Sequence, residues 1–235
     1  MSVTYEAHGD VATITLDDGK VNAMAMPFFA GLNEALDRAE AERPYAVVIT
    51  GRPGFFSAGL DLKLLPTLTP ADFAETLRVF GATMLRVFTF PIPCIAAMTG
   101  HAIAGGAFLA FACDERYLAD GPYKLHVNEV ARAMPLPTFA LAIAQTAISP
   151  RWQTEVILQA RAYTPAEALS RALVHGVVPP TESVLTTARH ATERLIGLDL
   201  SAYATAKNRM RERDVGWARK NLEAEATGQT SRAPV

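Results

Sequence analysis

Ile95-Ala96-Ala97-Met98-Thr99-Gly100-His101-Ala102-Ile103-Ala104-Gly105-Gly106-Ala107-Phe108 is the stretch on which the fold turns. Ile95 to Met98 is short, apolar and suited to a buried strand; Gly100 to Gly106 is a turn of small residues; a helix opens after it and closes near Cys113-Asp114. A strand, a glycine turn and a helix in that order direct backbone N–H groups and a helix dipole toward one place, where a negative oxygen could sit. The same glycines could instead only permit close helix–strand packing. Two nucleotide loops fail: no Lys and Ser/Thr follow the last glycine, since Ala107-Phe108 stand there, and Ala102 replaces the second glycine of the dinucleotide fingerprint.

Outward from this stretch the chain alternates strand and helix. Val11 to Leu16 and Ala46 to Thr50 read as strands, the second covered on both faces and ended by Gly51. Between them a helix starts at Pro27, with Phe28, Leu32, Leu36 and Ala39 on one face and Glu34, Asp37 and Arg38 in water. A long loop carries Phe55 to Leu60. Thr69-Pro70 opens a helix running to about Phe88, its stripe formed by Phe73, Leu77, Phe80 and Leu85, and Pro91 and Pro93 follow its end. Strands over Arg116–Ala119 and Tyr123–Val127, a helix over Thr138–Ile148, and a capping box at Thr164-Pro165-Ala166-Glu167 continue the alternation. Val177-Val178 suits a short strand, and helices follow over Glu182–Ile196 and Ser201–Trp217; the last dozen residues read as frayed.

Bulk properties narrow the function. Half of the 235 residues are apolar, enough for one sizeable core. Basic and acidic residues nearly balance, 22 against 24, so no long-range field selects nucleic acid or an anionic membrane. Neither is expected as a partner, and an anionic ligand needs a local basic site. Cys94 and Cys113 lie in apolar sequence without metal-type spacing and read as buried free thiols in a reducing compartment. Acids interrupt the first twenty residues, and the apolar run Pro91 to Ala112 is broken by prolines and glycines; neither a secretory signal nor a membrane span is expected, and the location implied is cytoplasmic. The five histidines lack zinc-type pairing, so no metal is expected. Phe55 stands where a nucleophile elbow would need glycine before Ser57, which makes that serine structural. By residue type alone Glu129 belongs on the surface.

Phe56-Ser57-Ala58-Gly59-Leu60-Asp61-Leu62, followed about forty residues later by Thr99 to Ala107 and Cys113-Asp114, resembles the two signature blocks of the enoyl-CoA hydratase/isomerase, or crotonase, family. Lys20 to Met24, Asn128-Glu129 and Thr164 to Leu169 extend the similarity over most of residues 3 to 180. The resemblance implies an α/β spiral of ββα units: an acyl-CoA-binding core over residues 1–180 and a C-terminal helical region, with a frayed tail, over 181–235. It further implies a homotrimer, or a hexamer built as a dimer of trimers. An oxyanion hole would be formed by the backbone N–H groups of Leu60 and Gly105, with CoA contacts near Ala23, Ala58, Asp61, Leu62 and Lys63. The basic residues Lys207, Arg209 and Arg211 are candidates for the CoA phosphates. No cofactor is implied beyond the coenzyme A of the substrate.

The resemblance also separates reactions. Hydratases of the family use two glutamates, the first three residues after the oxyanion-hole glycine, where this chain has Phe108. The second matches Glu129, in a segment similar to the single-glutamate Δ3,Δ2-enoyl-CoA isomerases, which also tend to have leucine at position 60. Isomerisation with Glu129 as base ranks first, hydration second, and a non-catalytic acyl-CoA-binding protein third. Phe108 is expected to dry the site, His126 to approach it, and Leu64 to Arg86 to wall the acyl pocket.

Overall fold

A computed structural model describes residues 3–228. Its frame is a six-stranded sheet built from β1 (Val3–His8), β2 (Val11–Leu16), β4 (Ala46–Gly51), β7 (Cys94–Met98), β9 (Glu115–Ala119) and β12 (Gly176–Val178), adjacent in that order. β1 and β2 form an antiparallel hairpin, and every later pairing is parallel.

After β2, β4, β7 and β9 the chain makes a second, shorter strand or strand pair and then a helix. The short strands are β3 (Ala23–Met24), β5 (Gly54–Ser57) with β6 (Gly59–Leu60), β8 (Gly100–Ile103) and β10 (Leu125–His126). The helices are α1 (Met26–Glu42), α2 (Pro70–Phe88), α3 (Gly105–Ala112) and α4 (Thr138–Ala147). β5, β8 and β10 run parallel in a second sheet closed by β11 (Ala162–Tyr163), while β3 pairs with β6 alone. This is the expected spiral of ββα units. Sequential parallel strands need crossover connections, and here each crossover carries its own helix.

The large sheet is covered on both faces. Val47 and Ile49 of β4 enter the main core beneath α1 to α4, whereas Val48 faces a smaller cluster with Ile95, Ala97, Val178, Val184 and Ala188 under α7 (Val184–Thr192). Alternating side-chain direction sends neighbouring residues to opposite layers, which is why β4 reads as an unbroken apolar run. All eight residues of α3 are buried, as its apolar circumference requires.

The C-terminal region is helical, and its helices lie on the core: α7 against β4, β7 and β9, and α8 (Leu200–Ala226) against α2 and α4. Cys94 and Cys113 are buried free thiols, and the Thr164 capping box of α6 (Pro165–Ser170) is present. No helix among the described residues is long and apolar enough to cross a membrane.

Several readings need correction. β1 was hidden by its mostly exposed, polar residues. Phe55 to Leu60 is two strands, because β8 and β3 supply pairing partners from distant sequence. The small-residue turn is mostly β8, leaving Ala104 as the link to α3. Phe73 is exposed and Leu77 only half-buried; they face a cavity, and the core side of α2 is Ala74, Phe80, Met84, Leu85, Val87 and Phe88. α8 continues through Ala226, so fraying is wrong for residues 224–226; the tail from 229 lies outside the described residues.

Candidate active site

Two backbone segments meet at the base of a cavity of about 950 Å³. One is β6. Its Asp61 end donates from N–H to the Met24 carbonyl at 3.0 Å, and because N–H groups alternate along a strand, that of Leu60 points away from β3. The other is the start of α3, where Gly105 occupies the first helical position and has no partner within the helix for its N–H.

The segments are in contact. Gly59 has φ +82°, and a Cβ there would lie 2.7 Å from the Gly105 nitrogen, so only glycine lets these backbones approach. Gly106 does the same one residue on, where a Cβ would fall 2.1 Å from the Ser57 carbonyl oxygen. Ala104 holds the strained φ/ψ pair +52°/−121°, and its N–H donates to the His126 carbonyl at 2.8 Å. His126 thereby supports the entry to α3 through its backbone; its ring bonds the Ala160 carbonyl at 2.9 Å and does not line the cavity.

Glu129 begins the short 3₁₀ turn Val130–Arg132, with its carbonyl accepting from the N–H groups of Arg132 and Met134. Its side chain lines the same cavity and the residue is only 7% exposed, yet Oε2 has no hydrogen-bond partner among the described residues. Burial raises the Glu129 carboxyl from its ordinary 4.5 to about 7, against the opposing pull of its own N–H and that of Asn128. The Asn128 Oδ1 is likewise buried and unpartnered. The cavity's other acids are occupied: Asp18 accepts the N–H groups of Lys20, Asn22 and Ala23, Asp61 those of Lys63 and Leu64, and Glu225 that of Thr138.

All nine residues singled out for the site, Ala23, Ala58, Leu60, Asp61, Leu62, Lys63, Gly105, Phe108 and Glu129, line this one cavity. Leu65, Phe73, Leu77 and Phe80 make one wall, in keeping with the expectation for Leu64 to Arg86. The basic candidates on α8 do not belong there. Lys207 and Arg211 bind the Asp114 carboxylate at 2.7 and 3.0 Å and secure α8 to the core, and Arg209 is exposed away from the cavity. The rim cations are instead Lys20, Lys63 and Arg132, none of them paired with an acid among the described residues.

Sequence reasoning missed Lys20 and Arg132 as rim groups, although Arg132 lies one 3₁₀ turn beyond Glu129. It also missed Leu222, Glu225 and Ala226, which the end of α8 brings to the cavity with no local signal.

Taken together, a spiral α/β fold and a mainly apolar cavity pairing two convergent N–H segments with one unsatisfied carboxyl define an enzyme site able to move a proton beside an oxygen that becomes negative. Residues 6–232 match the family described as enoyl-CoA hydratase/isomerase. The human mitochondrial enoyl-CoA delta isomerase 1 is 30% identical over 213 residues, 89% of this chain and 70% of that protein. The solved human mitochondrial delta3-delta2-enoyl-CoA isomerase superposes with a TM-score of 0.92 at 28% identity, covering 97% of this chain and 90% of that one. An enoyl-CoA hydratase from Mycobacterium marinum superposes with a TM-score of 0.87 at 32% identity, covering 95% and 97%. The chain therefore belongs to the enoyl-CoA hydratase/isomerase family and is an enzyme of the crotonase superfamily.

Proposed function

We propose that this enzyme is a Δ3,Δ2-enoyl-CoA isomerase with Glu129 as its single base. The observation that carries the reading is the pairing of Glu129, whose Oε2 has no partner, with Phe108, a hydrocarbon side chain lining the same cavity. Glu129 takes a proton from C2 of a 3-enoyl thioester. The electron pair delocalises into a dienolate whose oxygen accepts from the N–H groups of Leu60 and Gly105, and the proton returns at C4 as the double bond moves between C2 and C3. One aimed donor is typically worth about 3–4 kcal/mol, so two supply up to roughly 6–8, less any non-additivity. A base raised toward neutrality holds a proton well enough to redeliver it, and a mainly apolar cavity from which bound substrate displaces water strengthens both hydrogen bonds.

The substrate's CoA would run past Ala23, Ala58 and Asp61 to Lys63, with Lys20, Lys63 and Arg132 available to its phosphates. No cofactor beyond that CoA enters the scheme. A cytoplasmic location belongs to the same proposal; the buried free thiols suit a reducing compartment, although the human relative is named as mitochondrial.

Hydration is the second reading, favoured by one observation: the unpartnered Asn128 Oδ1 beside Glu129 could accept a hydrogen from a water. Incubation with 3-enoyl-CoA and 2-trans-enoyl-CoA panels, with products resolved by mass and chromatography, separates the two. Conversion of 3-enoyl to 2-enoyl substrate without mass change, lost by at least about 10³-fold in Glu129→Gln, is expected. Efficient gain of one water would establish the hydratase, and CoA binding without turnover a non-catalytic protein.

A further inference from the structure

Two buried side chains that touch neither the cavity nor each other's side chain converge on the Leu60 segment. Asn22 is 1% exposed and sits at φ +53°, a left-handed conformation that asparagine accepts better than most residues. Its Nδ2 donates to the carbonyls of Leu16, Phe55 and Phe56 at 2.7, 3.2 and 3.1 Å, and its Oδ1 accepts the Asp18 N–H at 2.9 Å. This side chain ties the end of β2, the 18–22 turn and β5 together, leaving the Asn22 carbonyl in a fixed place. That carbonyl accepts the Ser57 hydroxyl at 2.7 Å, and the Ser57 Oγ in turn accepts the Gly59 N–H at 3.1 Å.

The relay ends one peptide before the Leu60 N–H. β6 is only two residues long; backbone bonds from the Ala58 and Asp61 N–H groups to the Val21 and Met24 carbonyls bracket Gly59, and the Ser57 hydroxyl fixes the peptide between them. Ser57 also touches the other half of the site, because its carbonyl oxygen lies under Gly106 at the start of α3. A nucleophilic role does not suit it: the residue is fully buried, does not line the cavity, and commits its proton to a carbonyl.

We infer that Asn22 and Ser57 are positioning residues for the oxyanion hole: the Asn22 carbonyl orients the Ser57 hydroxyl, which holds the Gly59 N–H and so aims the Leu60 N–H at the place Gly105 also faces. The inference rests on the proposed dienolate chemistry only in needing a negative thioester oxygen at that place.

The test is Ser57→Ala, which removes the relay without adding bulk. A displaced donor costs rate and not ground-state binding, so kcat on the 3-enoyl substrate falls about 10–100-fold, while KM and the affinity for free CoA stay within about twofold. A 3-oxoacyl-CoA bound to the protein gives a second signal, since its enolate absorbs in the near ultraviolet; the bound enolate fraction falls alongside kcat. Should Ser57→Ala fold poorly, Asn22→Gly, which suits the positive φ but deletes the brace, carries the same comparison.

An unchanged kcat and enolate fraction, or a loss borne by KM and CoA affinity, overturns the inference. A wild-type protein that stabilises the enolate, and loses it in Ser57→Ala, but does not isomerise would sink the isomerase proposal and leave this inference standing. No enolate on the wild type would overturn the hole and this inference together.

Discussion

As the proposed base, Glu129 faces opposing demands: it is buried, yet it must be charged to take a proton. With its carboxyl raised to about 7 by burial, the ionised fraction grows as pH rises through that value, so kcat/KM should climb from pH 5.5 and level off above about 8. A pH–rate profile without an ionisation between 4.5 and 8 would count against Glu129 as the base. The same shift bears on stability with a definite sign. The folded state favours the neutral acid, so this stabilisation is full below about 4.5 and is lost as pH rises through about 7. Glu129→Gln never acquires the buried charge and should be more stable than the wild type at pH 8, by up to about 3 kcal/mol, with the difference shrinking toward pH 5; denaturant midpoints at the two pH values check it. None of this was legible in residue type, which puts glutamate on the surface. Likeness to the family motif pointed to the residue, and its burial in the folded chain sets the raised pKa on which the proposed chemistry relies.

At the scale of elements, the basic run on α8 illustrates how composition misleads. Lys207 and Arg211 looked available for phosphate, but Lys207 is 6% exposed and both are held by Asp114, whose own N–H and Oδ2 pair with the backbone of Cys94. Arg211 also donates to the Phe88 carbonyl at the end of α2. Asp114→Ala would strand Lys207 as an uncompensated buried charge and should cost about 3–5 kcal/mol, seen as a lowered urea midpoint. α8 reaches the cavity through its last turns, where Glu225 accepts the N–H and hydroxyl of Thr138 at the start of α4. Elements with strong local signals were legible: the Thr69 and Thr164 caps, the α1 face and the β4 run all form as their residues dictate. Two-residue strands such as β3, β6 and β11 were not. Their conformation comes from a partner far along the chain, and nothing in their own sequence encodes it.

At the scale of the molecule, the exposed apolar residues Leu158, Leu169, Ile196, Leu198, Met210 and Trp217 leave surface available for assembly. The homotrimer or dimer of trimers implied by the family resemblance predicts a mass of three or six times 25.3 kDa by light scattering, and a monomer at micromolar concentration would refute it. By itself the sequence determined the alternation of strands and helices, the family, and the set of residues to inspect, because β-branched runs, caps and glycine motifs act over a few neighbouring residues. Only the tertiary structure decided that Ala23, Leu60, Gly105, Glu129 and Leu222 share one cavity, that Glu129 is buried, and that Lys207 and Arg211 of α8 serve the fold. Each of those facts depends on packing between segments tens of residues apart, where solvent exclusion and ion pairing are set by the spiral as a whole.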